Sequence, residues 1–323
     1  MKIYNLRLRL MQAPHLGNFR DGFLAGVRKG WRSFVWICKI MIPISFLVTL
    51  LQWTHWLKHL DFLLEPLTSL INLPPEAGLP IIIGILISTY PVIAIITVIP
   101  FTIEQMTLIA IFTLISHSLI MEGIIQHKSG LNIIKATLIR LTAAIVAVLV
   151  VSQFLGDTGQ SVGLPADLMV HTPFLEVIKV WAMDLIGLLA KILGIIMLVM
   201  IILESLKSLG WIKYLHRFLR PLMKVLGVSD RTATMCVAAI IFGLLYGGAI
   251  IVEETKKGTF TKEELERLHI SIGINHAMVE DPALFAVLGL PALLMWGPRF
   301  IMAIIAVQTY HAITHFTNRL LHI

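Results

Sequence analysis

Two histidines, each with an acid five residues on, carry the first chemical hint in this chain. His117 and Glu122 lie in "SHSLIMEG" (116–123), and His276 and Asp281 lie in "NHAMVEDP" (275–282), 159 positions apart and both in strongly apolar surroundings. Imidazole and carboxylate are the groups that move protons, ligate cations or hydrogen-bond polar solutes. Inside an apolar segment they are costly unless they face a bundle interior or a water-filled path. Ser116, Ser118 and Asn275 stand beside them as neutral ligands. Residues five apart on an unbroken helix differ by about 140° around the axis, so His117 and Glu122 need an interruption to share a face. Gly123 directly after Glu122, and Pro282 directly after Asp281, mark where that break is expected. Glu280, four residues beyond His276, meets it even on a regular helix. His117, His276 and Glu280 have the donor types of a metal site, but their spacing is no recognised zinc pattern. HExxH does not occur, and the expectation is no enzyme and no bound cofactor.

The surroundings explain why these groups stand out. Hydrophobic residues make up 57% of the 323 positions and charged residues only 14%, which fits a polytopic membrane protein and not a soluble globule of this length. The formal charge of +7 comes from basic residues in loops between apolar blocks, so nucleic acid is discounted as a partner and membrane lipids are expected. Residues 1–32 are basic without an apolar core and cleavage site, and read as a cytoplasmic or interfacial segment rather than a signal. Cys38 and Cys236 form no metal or disulfide signature.

Sliding the chain against itself uncovers a duplication. At an offset of 155, Trp56, Lys58, Leu60, Leu64 and Pro66 meet Trp211, Lys213, Leu215, Leu219 and Pro221; at 159, His117, Gly130, Arg140 and Ala144 meet His276, Gly289, Arg299 and Ala303. Each copy has a long apolar helix (about 33–54; 174–204), an amphipathic Trp-started stretch (56–71; 211–226), an uncharged run (77–103; 232–252), the histidine segment, and a last apolar helix (about 133–153; 298–316). Arg140 and Arg299 open that last helix and read as snorkelling to the interface. Asp184 and Lys191, seven apart on the long helix of copy two, read as a structural ion pair.

Charge decides the topology. Stretch 53–77 holds only Lys58 and 100–112 holds no Lys or Arg, whereas 208–231 holds Lys213, Arg217, Arg220, Lys224 and Arg231, and 254–267 holds Lys256, Lys257, Lys262 and Arg267. Both flanks of the first uncharged run thus look external and both flanks of the second internal. A segment with both ends on one side is a re-entrant hairpin, and Ser88-Thr89-Tyr90-Pro91 and Gly243 to Gly248, with Tyr246 among them, supply the breakers. The fold class expected is an all-α polytopic membrane protein of two inverted-topology repeats, each with three transmembrane helices, an interfacial helix and a re-entrant helical hairpin. The boundaries are 1–32, repeat one at 33–153, an external linker at 154–173, repeat two at 174–316 and a cytoplasmic tail at 317–323.

Interrupted backbone at membrane depth is tolerated only where it is buried in protein or lines a wet cavity, and inverted repeats with broken helices are the recurring design of secondary transporters. The expected function is an inner-membrane secondary transporter of a small polar or anionic solute, coupled to Na⁺ or H⁺. Its expected site draws on Ser88, Thr89, Tyr90, Ser116, His117, Glu122, Tyr246, Asn275, His276, Glu280 and Asp281. The expected setting is a bacterial cytoplasmic membrane with both termini cytoplasmic, and a homo-oligomer is one expected assembly. The alternatives are a divalent metal permease and a non-transporting envelope assembly factor.

The stretches "LPPEAGLPIIIGILISTYPV" (73–92) and "LGVSDRTATMCVAAIIFGLLYGGAIIVEE" (226–254), with the twofold order of interfacial helix, hairpin, broken helix and helix, resemble the nucleoside recognition, or Gate, superfamily. The likeness covers about 35–310. It implies kinship with concentrative nucleoside transporters, the membrane part of ferrous-iron permeases and spore maturation proteins, and an elevator-like transport domain driven by sodium or protons. Where the nucleoside carriers typically offer Gln, Thr and Glu near the first hairpin tip, this sequence has Ser88 and Thr89 and no Gln or Glu.

Overall fold

The computed structural model describes residues 19–156, 161–162 and 172–321. The chain builds thirteen helices among these residues: α1 (Phe19–Trp53), α2 (Asp61–Thr68), α3 (Gly78–Leu86), α4 (Thr89–Ile96), α5 (Ile103–Ser116), α6 (Leu119–Lys128), α7 (Ile133–Ser152), α8 (Phe174–Ser208), α9 (Ile212–Val225), α10 (Ala233–Thr255), α11 (Lys262–Asn275), α12 (Glu280–Ala286) and α13 (Ala292–Leu321). Short 3₁₀ turns flank α2, and a two-residue antiparallel ladder pairs β1 (Phe101–Thr102) with β2 (Ser161–Val162). Five segments, Phe19–Trp53, Ile103–Lys128, Ile133–Ser152, Phe174–Ser208 and Ala292–Thr317, are long and apolar enough to cross a membrane; the pair Trp56–Ile71 and Pro75–Leu86, bent by 90°, is a sixth candidate. The protein is a nearly all-α, polytopic membrane protein.

The frame is the pair α1 and α8. Gly22, Gly26 and Gly30 recur every four residues and clear a notch for the partner helix. A Cβ on Gly26 would stand 2.5 Å from the Ile201 Cα, and one on Gly22 2.7 Å from the Ser205 Cα. Further along, Trp181 Nε1 donates to Ser45 Oγ at 2.8 Å and Trp53 Nε1 to the Thr172 carbonyl at 3.2 Å, so the two helices run antiparallel over their whole length. This notch corrects the expected start of the first helix: it begins at Phe19 instead of near 33, because the glycines and the Lys29–Glu204 ion pair at 2.9 Å extend the packed length beyond the apolar stretch.

Both uncharged runs are broken. The first divides into α3 and α4 at Ile87-Ser88, with Ser88 fully extended (φ −177°, ψ 179°). Pro91 was expected to stop the incoming arm; it instead lies inside the first turn of α4, where its missing N–H costs no hydrogen bond. The second run breaks within α10 at Gly243 (φ 78°, ψ 168°), a conformation open to glycine and strained for any side chain. On either side of that break the chain comes back on itself: a Cβ on Gly247 would stand 2.8 Å from the Ala239 Cα.

The core lies where these arms meet α5 and α11, and every residue of α5 from Met106 to Ser116 is buried. α5 and α11 start alike, with capping boxes of Thr102/Gln105 and Thr261/Glu264, and end alike, with His117 and His276 as extended C-caps. Lys135, at the start of α7, meets Glu266 of α11 at 2.8 Å, and Tyr310 of α13 donates to the same carboxylate.

The notch makes a specific expectation. Gly26→Leu must push α1 from α8 and lowers the thermal unfolding temperature in detergent, at a cost of about 1–3 kcal/mol or more. Gly194→Leu, on a face with nothing within 4 Å, leaves that temperature unchanged.

Candidate functional site

Each histidine helix stops at its histidine. Ser118 (φ 51°) and Ala277 (φ 49°) take left-handed backbone directly after it, so α5 and α6 meet at one break and α11 and α12 at the equivalent one. The expected break after Glu122 and Asp281 therefore falls about five residues too late. Gly123 and Pro282 lie within α6 and α12 instead. The interruption nevertheless does what was required of it: it brings His117 and Glu122 together, with Nε2 to Oε1 at 3.5 Å.

A break in a dry interior leaves backbone groups without partners, and each is satisfied in a matched way. The breaks take carbonyls from the first broken run and from α10: Ser118 N donates to Gly84 O at 3.0 Å, while Ala277 N donates to Ala239 O at 3.1 Å and Met278 N to Ile240 O at 2.8 Å. The freed carbonyls of the histidine helices are taken by arginines. Arg140 Nε donates to Ile115 O at 2.8 Å and its Nη2 to His117 O at 2.7 Å. Arg299 repeats this with Ile274 O at 3.2 Å and His276 O at 2.6 Å. Both guanidiniums are buried, which corrects the snorkelling assignment. They are C-caps for helices more than 20 residues upstream, a role that no local pattern announces.

The arginines close a compact cluster. His117 Nδ1 lies 2.9 Å from Thr113 O and His276 Nδ1 2.8 Å from Ile272 O, contacts that need a proton on Nδ1 and that, in the neutral imidazole, leave Nε2 with a lone pair. The two Nε2 atoms face each other at 3.2 Å. Glu122 Oε1 lies 3.1 Å from His276 Nε2, while its Oε2 accepts from Arg140 Nη1 at 2.7 Å. Asp281 Oδ2 lies 3.7 Å from His117 Nε2. The copies differ here: aspartate is one methylene shorter than glutamate, and among the described residues Asp281 Oδ2 and Arg299 Nη1 are both buried without a hydrogen-bond partner.

The other expected residues fall in several places. Asn275 adjoins His276, fully buried, with both amide atoms unpartnered. Ser116, its counterpart, donates to its own helix at Phe112 O. Glu280 does not join His276, because the break intervenes; it accepts from Tyr90 Oη at 2.9 Å, and Trp36 packs edge-on to Tyr90. Ser88 lies at the break between α3 and α4 with a buried, unpartnered hydroxyl, and Thr89 is buried at the start of α4. The Tyr246 side chain lies outside the described residues. The metal-capable group is thus His117, His276 and Asp281, whose ligand atoms lie within 4.8 Å of one another, and Glu280 is not part of it.

A separate cavity of about 470 Å³ opens between α1, α8, α5 and the end of α12, lined among others by Ser45, Thr49, Thr97, Trp181, Asp184 and Lys191. The expected Asp184–Lys191 ion pair does not form. Seven residues put them about 10 Å apart along the helix, and both side chains point to this space.

Residues 189–291 match the family model described as Gate: Nucleoside recognition. This Gate match takes in the break at Gly243 and the segment from Asn275 to Asp281. The chain is also similar to the uncharacterized membrane protein YvoD of Bacillus subtilis (strain 168), with 28% identity over 297 residues that cover 91% of this chain and 94% of that protein. No solved structure matches it.

The one-methylene difference between the copies is testable by exchange. Asp281→Glu lets the carboxylate reach Arg299 and raises the unfolding temperature, whereas Glu122→Asp pulls away from Arg140 and lowers it, approaching the ~3–5 kcal/mol cost of a buried charge left alone. Thermal unfolding of both variants in detergent checks the opposite signs.

Proposed function

We propose that this Gate protein is an ion-coupled secondary transporter of a small polar or anionic solute, in which the paired histidines and their carboxylates hold a cation between two inverted repeats. One observation carries the reading: two imidazole lone pairs and two carboxylates converge in a dry interior, at the breaks of the two equivalent helices. Convergent acceptors repel unless a cation lies among them, and placing them on the pseudo-symmetry axis lets motion of one repeat against the other open the site to either side.

Three contacts support the inverted arrangement. The equivalent helices α1 and α8 pack antiparallel. Lys135 meets Glu266, which joins the end of the first histidine segment to the start of the second; parallel repeats would hold these on opposite faces. Finally, 101–102 pairs with 161–162, as two external segments can. In this reading 78–96 and 233–255 are re-entrant hairpins that dip from opposite sides of a bacterial inner membrane, with both termini cytoplasmic.

The cluster itself is closely packed, so the larger solute belongs in the neighbouring cavity. Its 470 Å³ suits a small metabolite, its hydroxyls and Trp181 give orientation, and Lys191 favours an anionic group.

Two measurements test this. In proteoliposomes, uptake from a panel of nucleosides and organic acids should require an imposed cation gradient and fall at least tenfold in a folded His117→Gln/His276→Gln variant; undiminished coupled uptake in that variant removes the cluster from the mechanism. On a background free of Cys38 and Cys236, single cysteines at 70 and 104 should label only from outside and those at 220 and 257 only from inside. Labelling of 70 and 104 from opposite sides makes the first run a full span and overturns the inverted topology.

A further inference from the structure

We infer that the buried cluster is a four-coordinate site for a borderline divalent metal ion of the zinc class, with His117 Nε2, His276 Nε2, Glu122 Oε1 and Asp281 Oδ2 as ligands. It names the cation of the transport reading, and rests on that reading only for the ion's way in and out.

The distances carry the inference. A tetrahedral centre with metal–ligand bonds of about 2.0–2.2 Å has ligand–ligand edges of about 3.3–3.6 Å. Four edges of this cluster measure 3.1, 3.2, 3.5 and 3.7 Å, and the three atoms on His117, His276 and Asp281 all lie within 4.8 Å of one another. The His276–Asp281 edge is longer than these and Glu122 lies outside the group of three, so Asp281 has to swing inward for the four atoms to close on one ion.

The surrounding hydrogen bonds fix the same choice. Metal-bound imidazole usually donates its other N–H to an oxygen, which sets the tautomer and aims the free nitrogen. Both histidines do so, to Thr113 O and Ile272 O. Glu122 is oriented by Arg140 through its second oxygen. Asp281 Oδ2, buried and without a hydrogen-bond partner, is the ligand still to be satisfied. A proton shared between the two imidazoles would link only two of the four atoms and leave that carboxylate oxygen bare. A metal takes all four.

Charge and donor type narrow the ion. Two carboxylates offset two arginines, and the C-terminal ends of α5 and α11, each carrying about half a negative charge, converge on the cluster and favour a cation. Two imidazoles with two carboxylates suit zinc, iron(II), cobalt or manganese, and disfavour magnesium and calcium, which prefer all-oxygen shells.

The test uses the full chain purified in detergent, stripped with chelator and loaded with Zn²⁺ or Co²⁺ alone. The expected result is one equivalent of zinc per chain after gel filtration, by elemental analysis, and the intense visible bands of four-coordinate cobalt. Asp281→Asn should weaken zinc binding by more than the ~10–100-fold typical of losing a supporting group, whereas Glu280→Gln, whose carboxylate faces Tyr90, should retain it. Should histidine variants not fold, the wild-type cobalt spectrum and the Asp281/Glu280 contrast decide alone. No bound zinc in the wild type, six-coordinate cobalt bands only, or equal affinities for Asp281→Asn and Glu280→Gln each overturn the inference. Coupled uptake by metal-free protein sinks this inference and leaves the transport reading in place; a bound tetrahedral ion without any flux does the reverse.

Discussion

Two buried guanidiniums hold the centre of this protein together. A helix that stops inside a membrane protein leaves carbonyls with no water to accept from, and each such group costs several kcal/mol if it stays bare. Arg140 and Arg299 reach back to the ends of α5 and α11 and take two of these carbonyls each. Their planar forks supply several donors in fixed directions, which a lysine could not. The left-handed residues Ser118 and Ala277 can persist because the ends on both sides are satisfied, and the histidines keep their inward direction for the same reason.

From that constraint the site follows. With the helix ended at the histidine, the acid five positions on no longer lies 140° away but returns toward the imidazole. Repetition of the arrangement in both copies then sets imidazole against imidazole. The symmetry is broken by one methylene: Glu122 reaches Arg140, while Asp281 falls short of Arg299 and keeps an oxygen free. A perfectly duplicated site would have closed both carboxylates into ion pairs. The shorter acid leaves Asp281 Oδ2 and Arg299 Nη1 buried without hydrogen-bond partners among the described residues.

The frame around the site has its own logic. α1 and α8 pack through a glycine notch and one cross-pair at each end, so two long helices form a rigid wall. Against it lie α4 and α12, while α3 and α10 lend carbonyls to the breaks of the histidine segments. The 470 Å³ cavity opens between the wall, α5 and the end of α12, with Asp184 and Lys191 on the wall side. These two charged residues of an apolar helix thus line a space that has room for them.

The order of residues by itself determined the membrane class, the internal likeness at an offset of 159 and the breaks in both uncharged runs, and it singled out His117, Glu122, His276 and Asp281 as a set, since these depend on composition, on that offset and on helical angles. It misplaced the start of α1, the position of the histidine-helix break, the arginines, Glu280 and the Asp184–Lys191 pair. Asp184 and Lys191 simply stand too far apart along their helix; the other errors share one physical source, a deciding partner far along the chain. Ser205 and Ile201 make the notch that extends α1, and a guanidinium more than 20 residues downstream, not the nearby glycine or proline, ends each histidine helix. Only the tertiary structure decides which of two adjacent acids enters the cluster, because a left-handed turn at Ala277 sends Glu280 to Tyr90 and Asp281 to the histidines.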